Sequence, residues 1–165
     1  MEKQAVAMQY DWAARWPLHS VNLRDSLKVS AHAAPWTDFP KVKMQGLSER
    51  QKDLLNCGML AAKKKFPRLP ISILRKGLWC DVSQSHSRKP WFDKLATLCT
   101  STVLYSYEKD ATMSGHGHLL LVGHSPQCAP ASKFSEAECR DLAGESYSAP
   151  WIHAIVLSMF ASMHH

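Results

Sequence analysis

No two cysteines stand in a C-x-x-C arrangement, and the opening Met1-Glu2-Lys3-Gln4 begins no apolar stretch of signal-peptide length. The five cysteines, Cys57, Cys80, Cys99, Cys128 and Cys139, are odd in number and scattered. A disulfide framework of a secreted domain is therefore not expected, and a reducing intracellular compartment is. No apolar run reaches bilayer length: the longest, Ala149 to Met163, is broken by His153, Ser158 and Ser162, so no membrane span is expected. Glycine and proline are not enriched and no tract is of low complexity, which argues against wholesale disorder. What is present is 165 residues at 45% apolar composition, enough for one domain with its own core.

The formal charge of +6 is unevenly spread. Residues 1 to 40 hold four bases and four acids, residues 41 to 94 thirteen bases against four acids, and residues 95 to 165 three bases against six acids. A middle segment of +9 suits a phosphate-facing surface, and equally a solvated lysine-rich one.

Residues 1 to 45 place Trp12, Trp16 and Trp36 among Pro17, Pro35 and Pro40 without a sustained helical or strand period. They are expected to form an irregular lead-in whose tryptophans pack on the domain, because large aromatics usually serve burial. From Gly46 the pattern sharpens. Ser48 and Gln51 make a capping box, Leu55, Met59, Ala62 and Phe66 recur at helical spacing, and Pro67 stops the run, so a helix is predicted over about 49–65. Lys63, Lys64 and Lys65 fall in its last turn, where cations complement the helix dipole without any need for DNA.

Leu78 to Val82 and Val103 to Tyr107 read as short strands joined by a polar, basic loop. His118 to Gly123 is a short apolar run that periodicity cannot assign, and propensity leans towards strand. Ser135 and Glu138 form a second capping box for a helix running to Ala143, with Gly144 expected as a left-handed stop. Ser148 and Pro150 then open a helix with Ile152, Ile155, Val156, Met159, Phe160 and Met163 on one stripe, expected to be buried.

The segment Phe134-Ser-Glu-Ala-Glu-Cys-Arg-Asp-Leu-Ala-Gly-Glu-Ser-Tyr-Ser-Ala-Pro-Trp-Ile-His-Ala-Ile-Val resembles the last motif of DNA cytosine-5 methyltransferases, in which a short helix leads to Gly-Asn-Ser, a small-residue and proline turn, and a closing helix. Gly144, Ser146, Ala149 and Pro150 stand at the matching positions, with Glu145 in place of the asparagine. Met113 to Pro126 resembles the preceding motif, a Thr-x-x-Glu-x-x-x-x-x-Gly-Phe-Pro type of segment, with Gly117 where a glutamate is usual. Cys80 to Arg88 and Leu98 to Ser106 resemble stretches that follow the target-recognition region in divergent, algal-type members. The resemblance spans roughly residues 46 to 162. It implies that Gly144, Glu145 and Ser146 border an S-adenosylmethionine site and that the closing helix packs on a cofactor-binding half.

The catalytic motifs of that family are missing. The reaction needs a cysteine thiolate in a Pro-Cys loop, a glutamate that steadies the base, and a glycine-rich strand end for the cofactor. No Phe-x-Gly-x-Gly, Pro-Cys-Gln or Glu-Asn-Val occurs, and Cys128 follows Gln127. No catalytic residue is assigned, and S-adenosylmethionine is expected not to be held by this chain alone.

Three other chemistries compete. Leu119-Leu-Leu-Val-Gly-His-Ser imitates the nucleophile elbow of α/β-hydrolases, with Ser125 as nucleophile, Glu136, Glu138 or Asp141 as the acid, and His153 as the base. His116, His118, His124 and Cys128 have donors suited to zinc, although His118 beside an apolar run also suits a hydrogen-bonded core histidine. Nucleic-acid binding without catalysis rests on the +9 segment, where Trp79 and Trp91 lie among Lys76, Arg88, Lys89 and Lys94, with Gln84, Ser85 and Ser87 able to reach phosphates or base edges.

The sequence thus points to a small α+β domain with capped helices and a few short strands, resembling the closing portion of an S-adenosylmethionine-dependent methyltransferase. It divides into a lead-in over 1–45 and a methyltransferase C-terminal-like region over 46–165. The expected role is that of a fragment, inactive remnant or subunit that binds DNA inside the cell, the nucleus included. Its expected partners are a missing catalytic half or a second copy, met through the 149–163 helix. A non-catalytic basic nucleic-acid-binding or interaction module is the alternative.

Overall fold

The computed structural model describes residues 12–83, 91–92, 98–125, 127, 133–146 and 149–162. Helix α1 (Trp12–Leu27) is followed by a chain of turns, then α2 (Glu49–Lys65), the short α3 (Ile71–Leu74) and a 3-10 turn, Arg75–Gly77. Strands β1 (Leu78–Asp81), β2 (Trp91–Phe92), β3 (Leu104–Ser106) and β4 (Ala111–Thr112) come next, and α4 (Gly115–Leu121), α5 (Glu136–Glu145) and α6 (Ala149–Ser162) close the chain. The small α+β architecture expected from the sequence is observed. No helix among the described residues is long and apolar enough to cross a membrane.

Helix α2 forms where the capping box places it. The Ser48 hydroxyl accepts from the Gln51 backbone N–H at 3.4 Å, and Gln51 Oε1 accepts from the Ser48 N–H at 2.9 Å. Leu54, Leu55, Met59 and Ala62 are buried on its inner face. That face packs on Leu78, Cys80 and Val82 of β1 and its continuation, on Tyr105 and Tyr107, and on Trp36. The sheet is antiparallel in the order β2-β1-β3-β4, with Trp79 opposite Trp91 and Cys80 opposite Tyr105.

The lead-in is more regular than its sequence suggests. α1 is a helix despite Pro17, a correction to the irregular segment expected over 1–45. Its buried described side chains are the polar Ser20 and Arg24, with Leu23 partly buried against the core. Trp36 does pack as expected: it is fully buried, stacks on Phe39 and meets Tyr107 edge-on. Its indole N–H donates to the Tyr105 hydroxyl at 3.0 Å, and that hydroxyl donates to Asp110 at 2.5 Å. Asn56 of α2 accepts from the Trp36 and Thr37 amides at 2.9 Å each, which fixes the turn region on the helix. Among the described residues, no buried side-chain nitrogen or oxygen of this aromatic cluster lacks a partner, as a low-dielectric interior requires.

A second, smaller core lies between α4 and α5, formed by Leu119, Val122, Cys139 and Ala143 with Leu98 and Phe134 against them. The run His118 to Gly123, which periodicity leaves open and propensity leans towards strand, is helical up to Leu121, because the Ser114 hydroxyl caps the Gly117 N–H at 3.0 Å and starts a helix there. Gly115 lets α4 approach α5 closely: a methyl at that position would lie 2.3 Å from the Glu136 carbonyl oxygen. Helix α5 runs through Gly144 to Glu145, so Gly144 is an interior helical residue and not a left-handed stop. α6 begins at Ala149, as the sequence predicts, but its described side chains from Ala154 to Phe160 are all exposed. Ile155, Val156, Met159 and Phe160 of the stripe expected to be buried stand in solvent, and the side chains of Ile152 and Met163 lie outside the described residues.

Candidate nucleic-acid interface

Between Asp53 and Asp81 the chain carries no acidic residue and six basic ones: Lys63, Lys64, Lys65, Arg68, Arg75 and Lys76. The fold concentrates them at the end of α2 and around the turn into β1. Lys64, Lys65, Arg68 and Lys76 are exposed, and Lys63 and Arg75 are half-buried. None of the six pairs with a carboxylate among the described residues. Their contacts are to carbonyls and rings instead. Lys64 Nζ donates to the Ser26 carbonyl at 3.1 Å, Arg75 donates to the Glu108 carbonyl at 2.9 Å, and Lys65 lies 5.3 Å from the Phe66 ring centre. The two bounding acids are spent elsewhere. Asp53 pairs with Arg24 at 2.5 Å, and the buried Asp81 accepts from the Ser83 and Val103 amides at 3.0 and 3.2 Å.

Of the nucleic-acid-binding positions read from the sequence, Lys76 falls on this surface. Gln84, Ser85, Arg88, Lys89 and Lys94 lie outside the described residues. Lys64, Lys65 and Arg68 are the positions that reading passed over, because a helix terminus accounts for a lysine triplet without a ligand. The signal available was the unbroken absence of acids on both sides of it.

The expected cofactor border is arranged differently. A methyl on Gly144 would stand 2.2 Å from the Thr100 nitrogen, so backbone fills the space beside this glycine. The Ser146 hydroxyl donates to the Leu142 carbonyl at 2.5 Å and lies 3.1 Å from His124 Nε2, while Glu145 is exposed. Gly144 and Ser146 thus seat the end of α5 on the Thr100 backbone and on His124, an arrangement that does not fit a cradle for S-adenosylmethionine.

Nor do the thiols resemble a nucleophile. Cys57, Cys80, Cys99 and Cys139 are all unpaired, and only Cys99 among them is exposed. Burial raises the Cys57 and Cys139 thiols above their ordinary range and pushes Cys80 up to about 12, the opposite of what an attacking thiolate needs.

Ser125 is exposed and follows a helix and the left-handed Gly123, not a strand, so the strained strand-to-helix elbow of a hydrolase is not formed. The histidines of the zinc reading diverge. His116 lies 3.6 Å from Glu136 and 3.8 Å from the Cys139 sulfur, the buried His118 donates from Nδ1 to the Ser114 carbonyl at 2.8 Å, and His124 meets Ser146. Cys128 lies outside the described residues. Among those described, no group of three His, Cys, Asp or Glu side chains is placed to hold a metal ion.

No known protein family, curated protein or solved structure matches this chain.

Proposed function

We propose that the chain is a non-catalytic DNA-binding module, equivalent to the recognition region and closing helices of a cytosine-5 methyltransferase-like protein, that works beside DNA in an intracellular compartment such as the nucleus. The observation that carries this reading is the acid-free segment from Leu54 to Cys80, whose six basic residues meet no carboxylate among the described residues. Each unpaired surface cation that meets a phosphate releases a condensed counterion, and that release drives association without any base contact. Arg88, Lys89 and Lys94 as further phosphate contacts, and Gln84 and Ser85 as polar ones, remain part of the proposal on the sequence alone, since they lie outside the described residues.

The exposed α6 supports the second part of the reading, that the chain completes a larger assembly. Ile155, Val156, Met159 and Phe160 are between 40% and 59% exposed on a helix without a charged residue, an arrangement that suits a buried partner surface better than water. The missing catalytic half of a methyltransferase-like protein is one such partner, and a second copy is the other.

Amide NMR shifts followed during titration with a short duplex test the DNA reading. Perturbations clustered over 63–68 and 75–77 are expected. Shifts confined to α5 and α6, or none at low salt, would contradict it.

A further inference from the structure

Among its described side chains, helix α1 meets the rest of the fold mainly through the polar Ser20 and Arg24, and what these two cover is a thiol. Arg24, 4% exposed, places Nη2 2.5 Å from Asp53 Oδ1 and 3.2 Å from the Ala33 carbonyl, while its Nη1 reaches Cys57 Sγ at 3.2 Å. The Ser20 hydroxyl donates to Asp53 Oδ2 at 2.6 Å, accepts from Arg24, and lies 3.9 Å from the same sulfur. Among the described side chains of α1, Leu23 is the one that packs against the apolar core. Leu18 and Val21 point outward, 68% and 45% exposed.

Four features make this attachment easy to open. The Arg24–Asp53 pair is open to water on the side of Asp53, whose side chain is 30% exposed, so solvent screening leaves it a modest hold on α1. Arg24 Nε is buried without a hydrogen-bond partner, which weakens the docked state further. Pro17 lies inside the helix and removes one of its backbone donors. Lys28, directly after α1, sits at φ 56°, a left-handed conformation that a non-glycine residue adopts at a cost. By contrast, the core that α2 shares with the sheet is made of Trp36, Leu55, Met59, Leu78, Tyr105 and Tyr107, all nearly or fully buried.

We propose that α1 is a strap that undocks from α2 as a unit, uncovering the Cys57 thiol while the core between α2 and the sheet stays closed. Cys80 supplies the internal control: both thiols are 1% exposed and belong to the same apolar cluster, but Cys57 is the one that Ser20 and Arg24 of α1 reach, whereas Cys80 lies on β1.

The test is native-state alkylation of the full chain with iodoacetamide, read at each cysteine by mass spectrometry and normalised to the rate in denaturant. Cys57 is expected to react at least about tenfold faster than Cys80, because local opening precedes global unfolding. Asp53→Asn is expected to speed Cys57 by about a further tenfold and leave Cys80 unchanged, since it removes the charge that faces Arg24. Ser20→Ala, which keeps the ion pair, is expected to give a smaller change in the same direction and decides the matter if Asp53→Asn fails to fold. Equal rates at the two cysteines in the wild type, or acceleration of both together in either variant, would overturn the proposal.

Discussion

Gly144 and Thr100 are in backbone contact, with the Thr100 nitrogen occupying the position that a side chain on Gly144 would need. The glycine that resembles a methyltransferase turn is thus a packing residue, which seats α5 on the loop before β3. Gly144→Ala forces that loop or the helix to move and is expected to cost about 2 kcal/mol, the usual scale for overpacking. The neighbouring Glu145→Ala, at an exposed position, is expected to change stability by less than about 0.5 kcal/mol. Urea unfolding of the two variants checks this, and comparable midpoints would contradict it.

Alkaline pH is expected to loosen the main core. Burial first, then the charge of Asp81, pushes the Cys80 thiol from its ordinary 9.0 up to about 12, and burial raises Tyr105 and Tyr107 as well. The unfolded chain loses these protons at ordinary values while the folded chain retains them. The stability tied to Cys80 is therefore complete below about pH 9 and lost as pH rises towards about 12. In that window this thiol contributes a fall of about 1.4 kcal/mol per pH unit. Cys80→Ala is expected to flatten the decline between about pH 9 and pH 10 by that amount, measured by urea unfolding across pH.

The exposed helix α6 is expected to govern association and not folding. A shallow groove lined by Ala154, Ile155, Ser158, Met159 and Ser162 runs along it, and its described large apolar side chains, Ile155 to Phe160, are exposed. Replacing both Ile155→Asp and Phe160→Asp is expected to leave unfolding stability within about 0.5 kcal/mol of the wild type. The same change is expected to turn a self-associating chain into a monomer in sedimentation velocity. A cooperative loss of stability would show that α6 packs on its own domain after all.

Local chemistry was the part of this fold legible in the sequence. The capping boxes at Ser48 and Ser135 mark the starts of α2 and α5 correctly, because a cap is satisfied by residues within one turn of it. β1 and β3 likewise follow their β-forming runs. What escaped depends on distant partners. α1 hid because its described buried residues are Ser20 and Arg24, whose burial makes sense only once Asp53 and Cys57 are alongside. α4 hid behind a leucine run that suits either state, although Ser114 as a cap was there to be weighed. Gly144 was read as a stop because sequence spacing cannot show that backbone 44 residues upstream occupies its side-chain space. Of the candidate interface, Lys76 is legible from charge alone, whereas the helix dipole accounts for Lys63, Lys64 and Lys65, a role compatible with the one proposed here, and Arg68 beyond the Pro67 stop carries no signal of its own.

The most direct measurement of the DNA-binding claim is fluorescence polarisation of a labelled short duplex with the wild type, with a Lys64→Gln, Lys65→Gln, Arg68→Gln triple variant, and with an Arg88→Ala, Lys89→Ala double variant. About four phosphate contacts weaken affinity roughly a hundredfold between about 50 mM and about 200 mM salt. The expected result is binding of that salt dependence in the wild type and a shallower slope with weaker binding in the triple variant, the double variant reporting how far the surface continues. Absence of binding at about 50 mM salt, or binding indifferent to salt and to the triple variant, would contradict the claim.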